Sequence, residues 1–320
     1  MLVAAALAAA VLAVLFRWQD RLPLAQVNAR TLHAVPIPRV GGLSLWGGFV
    51  PVAALTVDLP WFSPGLWAGP WLLLFLVSLR DDARSVGVVA RFAVHVVAAA
   101  WFAWLLAQGQ ALPWWSPLLV FAAAGWSCNL YNFMDGSDGL ALAMTLVGFG
   151  AFAVALGMRG QGAALPLAMC GAVIPLLAVN RPPARMFIGD VGAVPLGFLA
   201  AAFGSAGVVA GAWPAWFPVL AFLPFVADAT VTLARRVLLG QRFWESHKSH
   251  YYQRLLQLGA GHRGTLAVYA ALMLGCAATA VACLLVAPHW GIAALGAWCA
   301  VHAAVFAAID YHWRRSAPTT

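Results

Sequence analysis

Long apolar runs separated by short polar breaks dominate the chain from end to end. "MLVAAALAAAVLAVLF" (1–16) and "GLWAGPWLLLFLVSL" (65–79) exceed what a soluble core needs, and similar runs recur throughout. A bilayer-spanning helix takes about 20 predominantly apolar residues. The pattern predicts eleven spans, at about 1–16, 43–57, 65–79, 90–107, 115–131, 139–157, 163–179, 191–210, 214–233, 264–286 and 290–309. The fold class expected is therefore all-α: a polytopic integral membrane protein of ten or eleven transmembrane helices, forming one domain over 1–320. The first run has no basic start and no clear small-residue cleavage site, so it reads as a span and not as a cleaved signal peptide.

Composition agrees with this, at 63% hydrophobic, 9% charged and a mean hydropathy of +0.87. A net charge of +8 would admit nucleic acid as a partner, but the basic residues fall in the loops. Alternating the eleven spans puts seventeen of the eighteen Lys and Arg on one face and Arg159 alone on the other. Cytoplasmic loops carry such an excess. The N-terminus is therefore expected outside and the C-terminus in the cytoplasm, and nucleic-acid binding is set aside. Asp81, Asp82, Asp135, Asp138, Asp190 and Glu245 fall on the basic face, which also holds the longest loop, 234–263. Asp228 sits about two turns inside the ninth span, where an ionisable group usually faces a bundle interior or cavity. The five cysteines lack metal-ligand spacing and read as core residues. Trp61, Trp67, Trp114, Trp115, Trp213 and Trp216, near span ends, read as interfacial anchors.

Five stretches of the cytoplasmic face hold the polar chemistry: "NARTLHAVPIPRVGG" (28–42), "RDDARS" (80–85), "NLYNFMDGSDG" (129–139), "PPARMFIGD" (182–190) and "RFWESHKSH" (242–250). Five aspartates brought together would repel by several kcal/mol at low effective dielectric. A cation must offset them, and Mg²⁺ with oxygen ligands is the natural candidate. Helix capping is the plainer role, open to Asp138 before Gly139 and to Asp190 at the head of the eighth span. Gly136, Gly139 and Gly189 suit close approach of a phosphate to backbone N–H groups, whereas Gly148 and Gly150 suit helix packing. Arg30, Arg39, Arg235, Arg236, Lys248 and Arg254 could bind a nucleotide diphosphate or an anionic head group. His247 and His250 would share a face if their segment were helical, and phosphate contact or proton transfer suits them better than zinc. His95 and His302, inside spans, read as core histidines.

Together these stretches resemble the polyprenyl-phosphate N-acetylhexosamine-1-phosphate transferase family, whose members initiate peptidoglycan, O-antigen and teichoic acid precursors. The resemblance covers nearly the whole chain, through "NARTLHAVPIPRVGG", the "DD" pair, "NFMDGSDGLA", "FIGDVGAVPLG" and "RR…G…F…HKSHYYQRL" in family order. It implies transfer of a sugar-1-phosphate from a UDP-N-acetylhexosamine to undecaprenyl phosphate, with Mg²⁺ (or Mn²⁺ in its place), releasing UMP at the bacterial inner membrane. By motif position, Asn132 and Asp190 would hold the metal and pyrophosphate. Asp81, with Asp82, would engage or deprotonate the lipid phosphate. Asn129, Asp135 and Asp138 would contact the nucleotide, and Phe187 would stack on uracil. Arg30, His33, Arg39, Arg236, His247, Lys248 and the catalytic candidate His250 would meet phosphate or sugar. Related enzymes are often dimeric, so a homodimer is compatible.

The chain departs from the family where many members carry a "DRxHxHH"-like run. Here His247 replaces an aspartate, and Tyr252 and Gln253 replace two histidines. Ala193 also stands where serine is common. An O-antigen-initiating subgroup with "HRSHAYQ"-like runs looks similar. Two alternatives stay open: a muramoyl-pentapeptide phosphotransferase, and a small-solute transporter.

Overall fold

Inside a bilayer no water can satisfy backbone N–H and C=O groups, so a chain of this hydropathy is committed to structures that pair them internally. The computed structural model describes residues 1–22, 37–56, 58–108, 112–242 and 247–316, and no β-strand forms among them. Thirteen α-helices follow in order: α1 (Leu2–Arg17), α2 (Gly42–Leu55), α3 (Pro64–Ala83), α4 (Val88–Ala107), α5 (Ser116–Met134), α6 (Leu140–Met158), α7 (Ala164–Asn180), α8 (Asp190–Val209), α9 (Trp216–Ala221), α10 (Leu223–Leu238), α11 (Tyr251–Leu255), α12 (Gly261–Val286) and α13 (Gly291–Ser316).

Six segments are long and apolar enough to cross a membrane: Pro60–Ala83, Val88–Ala107, Leu140–Met158, Asp190–Val209, Tyr251–Val286 and Pro288–Arg315. α1, α2 and α7 are apolar but shorter. α5 is diluted by Ser127, Asn129 and Asn132 near its end. The segment expected as a continuous ninth span is broken between α9 and α10. Phe222 leaves helical geometry there (φ −108°, ψ 13°), between Pro218 and Pro224. Proline supplies no N–H to the helix ladder and clashes with the preceding turn. The ring of Phe222 lies over Gly148, where a Cβ would come within 2.2 Å of it.

α8 is the hub of the bundle. It is buried on nearly all sides and packs along α5 and α3, with a close crossing onto α2. Two small residues permit these approaches. A Cβ on Gly197 would stand 2.1 Å from the Ser127 carbonyl of α5, and one on Gly42 would stand 2.5 Å from Gly192. α1, α2 and α7 pack together on one flank, and α12 lies against α6 and α9. Trp67, Trp213 and Trp216 are buried and Trp61 is half-buried, packed with Phe62, Phe152, Phe203 and Phe217. These four tryptophans are core residues, because apolar neighbours surround them on several sides, and not the anchors expected. Trp114 and Trp115 remain exposed. The five cysteines are free; Cys128, Cys170 and Cys276 are buried as core residues, whereas Cys283 is half-buried and Cys299 is exposed.

Adding a methyl group at Gly197 must push α5 away from α8, because the obstructing atom is backbone. Such overpacking costs about 1–3 kcal/mol. Gly197→Ala is expected to lower the melting temperature in detergent by several degrees. Gly150→Ala, which meets nothing within 4 Å, is expected to leave it unchanged. Thermal unfolding of the two variants side by side checks this.

Candidate active site

The C-terminal ends of α3, α5 and α7 meet the N-terminal ends of α4, α6, α8 and α12 at one end of the bundle. A network of buried acids and amides joins them. Asp82 of α3 is the anchor, with its side chain 0% exposed. Its oxygens accept the N–H groups of Asp190 (3.2 Å) and Val191 (2.8 Å), the first two residues of α8. A helix start leaves such donors without intrahelical partners and carries partial positive charge. Asp82 thus caps α8 from another helix. The turn it caps requires glycine: Gly189 has φ +72°, and a Cβ there would stand 2.0 Å from the Arg39 carbonyl and 2.7 Å from Asp82 Oδ2. The 187–188 backbone is fixed by 38–42. Phe187 N–H donates to the Pro38 carbonyl, and Gly41 and Gly42 N–H groups donate to the carbonyls of Phe187 and Ile188, each at 2.8 Å.

Two arginines bind the acids into a chain. Arg39 Nη2 reaches Asp82 Oδ1 at 2.7 Å and Asp190 Oδ1 at 3.2 Å. Arg91 Nη1 reaches Asp190 Oδ2 at 3.0 Å and Asp81 Oδ2 at 2.8 Å. The other oxygen of Asp81 accepts the Val86 N–H at 2.6 Å, closing the turn between α3 and α4. Three carboxylates are thus met by two guanidiniums, both partly exposed. Among the described residues neither Asn132 nor Asp135 has a hydrogen-bond partner, and both are half-buried. Burial, then the like charges of Asp190 and Asp82, hold the Asp135 carboxyl well above the usual carboxylate range. An added cation would lower that cost.

The remaining corner is structural. Asp138 is buried, with Oδ2 accepting the Ala184 N–H at 2.9 Å and His262 Nδ1 lying 3.5 Å from Oδ1. Asn180 accepts the Gly139 N–H at 2.9 Å and donates to the Met186 carbonyl at 2.8 Å. Asn129 turns away from the cluster, toward His95 (3.3 Å) and the Gly125 carbonyl (2.8 Å), so His95 is a satisfied core histidine. Phe187 is half-buried beside the cluster.

The His247–His250 stretch docks onto the same corner, but it is not helical; the helix begins at Tyr251. The two rings nevertheless lie 5.0 Å apart. His250 is buried, 3.3 Å from Asp228 and stacked on Phe133. His247 accepts from Ser249, and burial followed by His250, Arg236 and Arg254 lowers its imidazole to about 4, so the ring is neutral at pH 7. Arg236 donates to the Arg242 carbonyl, and the Lys248 carbonyl accepts from Gln257. Tyr252, in place of a family histidine, donates to the Phe133 carbonyl at 2.9 Å, and Gln253 closes a capping box with His250. Asp228 lies in the bundle interior. It is 0% exposed and accepts from Tyr251 N–H, Tyr252 N–H, Tyr269 Oη, Thr232 Oγ1 and His250. Arg30 and His33 lie outside the described residues.

The sequence reading did not single out Arg91, Asn180 or His262. Arg91 stands ten residues beyond Asp81, one helix turn before His95, a spacing that a helix-start reading of 88–95 could have flagged.

The oxygen-only donors at Asn132, Asp135 and Asp190 suit a hard cation. Among the described residues no three His, Cys, Asp or Glu side chains form a ready-made metal site. Mg²⁺ takes one or two carboxylates and completes its shell with water and substrate phosphate.

Helices apolar enough to cross a bilayer, with buried polar groups gathered at one shared end, fit a multi-pass membrane protein. The model of the family "Glycosyl transferase family 4" matches residues 65–208, from α3 through α8. The chain is 28% identical over 288 residues to the decaprenyl-phosphate N-acetylglucosaminephosphotransferase of Mycobacterium tuberculosis, covering 75% of this chain and 70% of the relative. It is 25% identical over 260 residues to the probable undecaprenyl-phosphate N-acetylglucosaminyl 1-phosphate transferase of Bacillus subtilis, covering 76% and 72%. A phospho-N-acetylmuramoyl-pentapeptide-transferase of Geobacillus kaustophilus is 30% identical over 190 residues, covering 49% and 58%. The chain is thus similar to glycosyl transferase family 4 and to transferases within it.

Asp82→Asn keeps the shape but removes the charge that faces two N–H groups and Arg39. Breaking a buried pair costs about 3–5 kcal/mol; Arg39, with 34% of its side chain exposed, recovers part of this through solvent. A clear drop in melting temperature is expected, with faster amide exchange at Asp190 and Val191. Hydrogen exchange read by mass spectrometry checks it.

Proposed function

We propose that the chain transfers an N-acetylhexosamine-1-phosphate from its UDP-sugar to undecaprenyl phosphate, releasing UMP. The reaction would open O-antigen or related polysaccharide synthesis at the cytoplasmic face of a bacterial inner membrane. The observation that carries this reading is the Asp81–Arg91–Asp190–Arg39–Asp82 chain at the head of α8, with Asp135 within its electrostatic reach. Both substrates are phosphates, and phosphoryl transfer needs charge neutralisation and in-line positioning more than covalent help. The activities for which the relatives are named support the same reading. The basic residues gathered at the cluster's end support its cytoplasmic side, and α9 with α10 would make the ninth of eleven crossings.

In this reaction an oxygen of the lipid phosphate attacks the β-phosphorus. The new P–O bond forms as the bond to the bridging oxygen breaks, and UMP leaves with that oxygen. Phosphate monoesters lose their second proton near pH ~6, so the attacking phosphate needs no base. Asp81, already bonded to Val86 and Arg91, would act by orienting Arg91. Asp82 would set the backbone of Asp190. Asn132 and Asp190 would hold Mg²⁺, or Mn²⁺ in its place, which when bound neutralises and orients the diphosphate oxygens. Asp135 and Phe187 would face the nucleotide. His247, a neutral ring, and His250, with Lys248 and Arg236, would face sugar or phosphate.

The muramoyl-pentapeptide alternative is weaker, since the Geobacillus relative matches only 49% of the chain. The transporter alternative loses its motive, because Asp228 is saturated by protein donors.

Purified protein in detergent, given undecaprenyl phosphate, Mg²⁺ and a panel of UDP-N-acetylhexosamines, is expected to release UMP. The release should require the lipid, stop with a chelator, and fall at least 100-fold in Asp190→Asn. UMP release that persists without lipid, or in Asp190→Asn, would contradict the reading.

A further inference from the structure

Asp310 is the only acidic residue after Glu245. It lies six residues before the end of α13, a helix that brings no other group to the His247–His250 stretch among the contacts described. Its carboxylate takes one arginine on each oxygen: Arg254 of α11 on Oδ1 at 2.5 Å and Arg235 of α10 on Oδ2 at 2.6 Å. Tyr251 Oη stands 3.4 Å from Oδ2 and 3.4 Å from Arg235 Nη1. One turn back on the same face of α13, Phe306 stacks on the Tyr251 ring, with centroids 3.9 Å apart and planes 8° from parallel. Arg254 is only 11% exposed at its side chain and also lies over the Tyr251 ring.

Tyr251 follows His250 directly. Its backbone N–H is fixed by Asp228, and its ring is fixed by Phe306 within the Asp310 cluster. We infer that Asp310 is a positioning residue: the last helix clasps α10 and α11 through it, and so holds His250 and His247 against the Phe133–Gly136 corner. The kinetic side of this inference rests on the transfer reaction proposed above; the structural side does not. Without the carboxylate, two partly buried guanidiniums would face each other with nothing between them. α11 leads into α12 through a π-helical turn at 256–260 that is kinked at Gly259 (φ +98°), so its own turn is not carried rigidly by the long helix.

The test compares Asp310→Asn and Asp310→Glu with wild type in two measurements. Hydrogen exchange by mass spectrometry reads the 247–255 segment against the start of α8. Asp310→Asn is expected to speed exchange at Tyr251 and Tyr252 at least tenfold and to leave Asp190 and Val191 unchanged. UMP-release kinetics is expected to show kcat reduced at least tenfold in Asp310→Asn, with KM for the UDP-sugar within about twofold and most of kcat recovered by Asp310→Glu. Unchanged exchange at 251–252, or equal acceleration at both places, overturns the clasp. Local acceleration with wild-type kcat overturns its positioning role. If wild-type protein releases no UMP, the proposed reaction fails while the exchange measurement still decides the clasp.

Discussion

A helix that starts inside a protein at the edge of a bilayer exposes N–H groups that neither its own backbone nor bulk water can satisfy. This chain meets that demand with carboxylates from other elements. Asp82 of α3 takes the first two N–H groups of α8, and Asp228 of α10 takes the first two of α11. The same device, with one donor each, ties Asp138 to Ala184 and Asn180 to Gly139. Each bond is charge-assisted or fully buried, and each joins segments far apart in sequence. Their number at one end of the bundle makes that end rigid where the α8 start must present Asp190.

The arrangement separates two kinds of acid. Asp82, Asp138 and Asp228 are consumed by backbone donors and set geometry. Asp190 is held by arginines at the edge of the cluster, Asp81 is shared between Arg91 and the Val86 N–H, and Asp135 has no side-chain hydrogen-bond partner among the described residues. Groups of the second kind can exchange an arginine for a phosphate or a cation. Groups of the first kind cannot do so without unfastening a helix. The altered histidine run follows the same division. Tyr252 and Gln253, where relatives of the family pattern carry histidine, fasten the loop to Phe133 and cap α11. The remaining ring pair, His247 and His250, stays beside the cluster.

The apolar pattern made most helices legible, because a membrane-embedded helix is written locally in its own composition. The segment expected as one helix that instead breaks, 214–233, contains Pro218 and Pro224, which were visible, but the pivot at Phe222 depends on its fit over Gly148 of α6. The gathering of aspartates at one end was legible from charge segregation alone. Their roles were not. Nothing local tells Asp82 from its neighbour Asp81, since exposure of 0% against 8% of the side chain is decided by α8. Asn129 lay in the right motif but turned toward His95, and Asp310 lay in no motif at all. In each case the deciding partner is more than thirty residues away.

The central claim is that phosphorus moves with the sugar. A UDP-N-acetylhexosamine radiolabelled in its β-phosphate, incubated with the protein, undecaprenyl phosphate and Mg²⁺, separates the two chemistries open to a transferase with these substrates. Label recovered in the lipid fraction, with UMP as the unlabelled nucleotide product, is the predicted result. Label left in UDP, with the sugar alone on the lipid, would contradict the account.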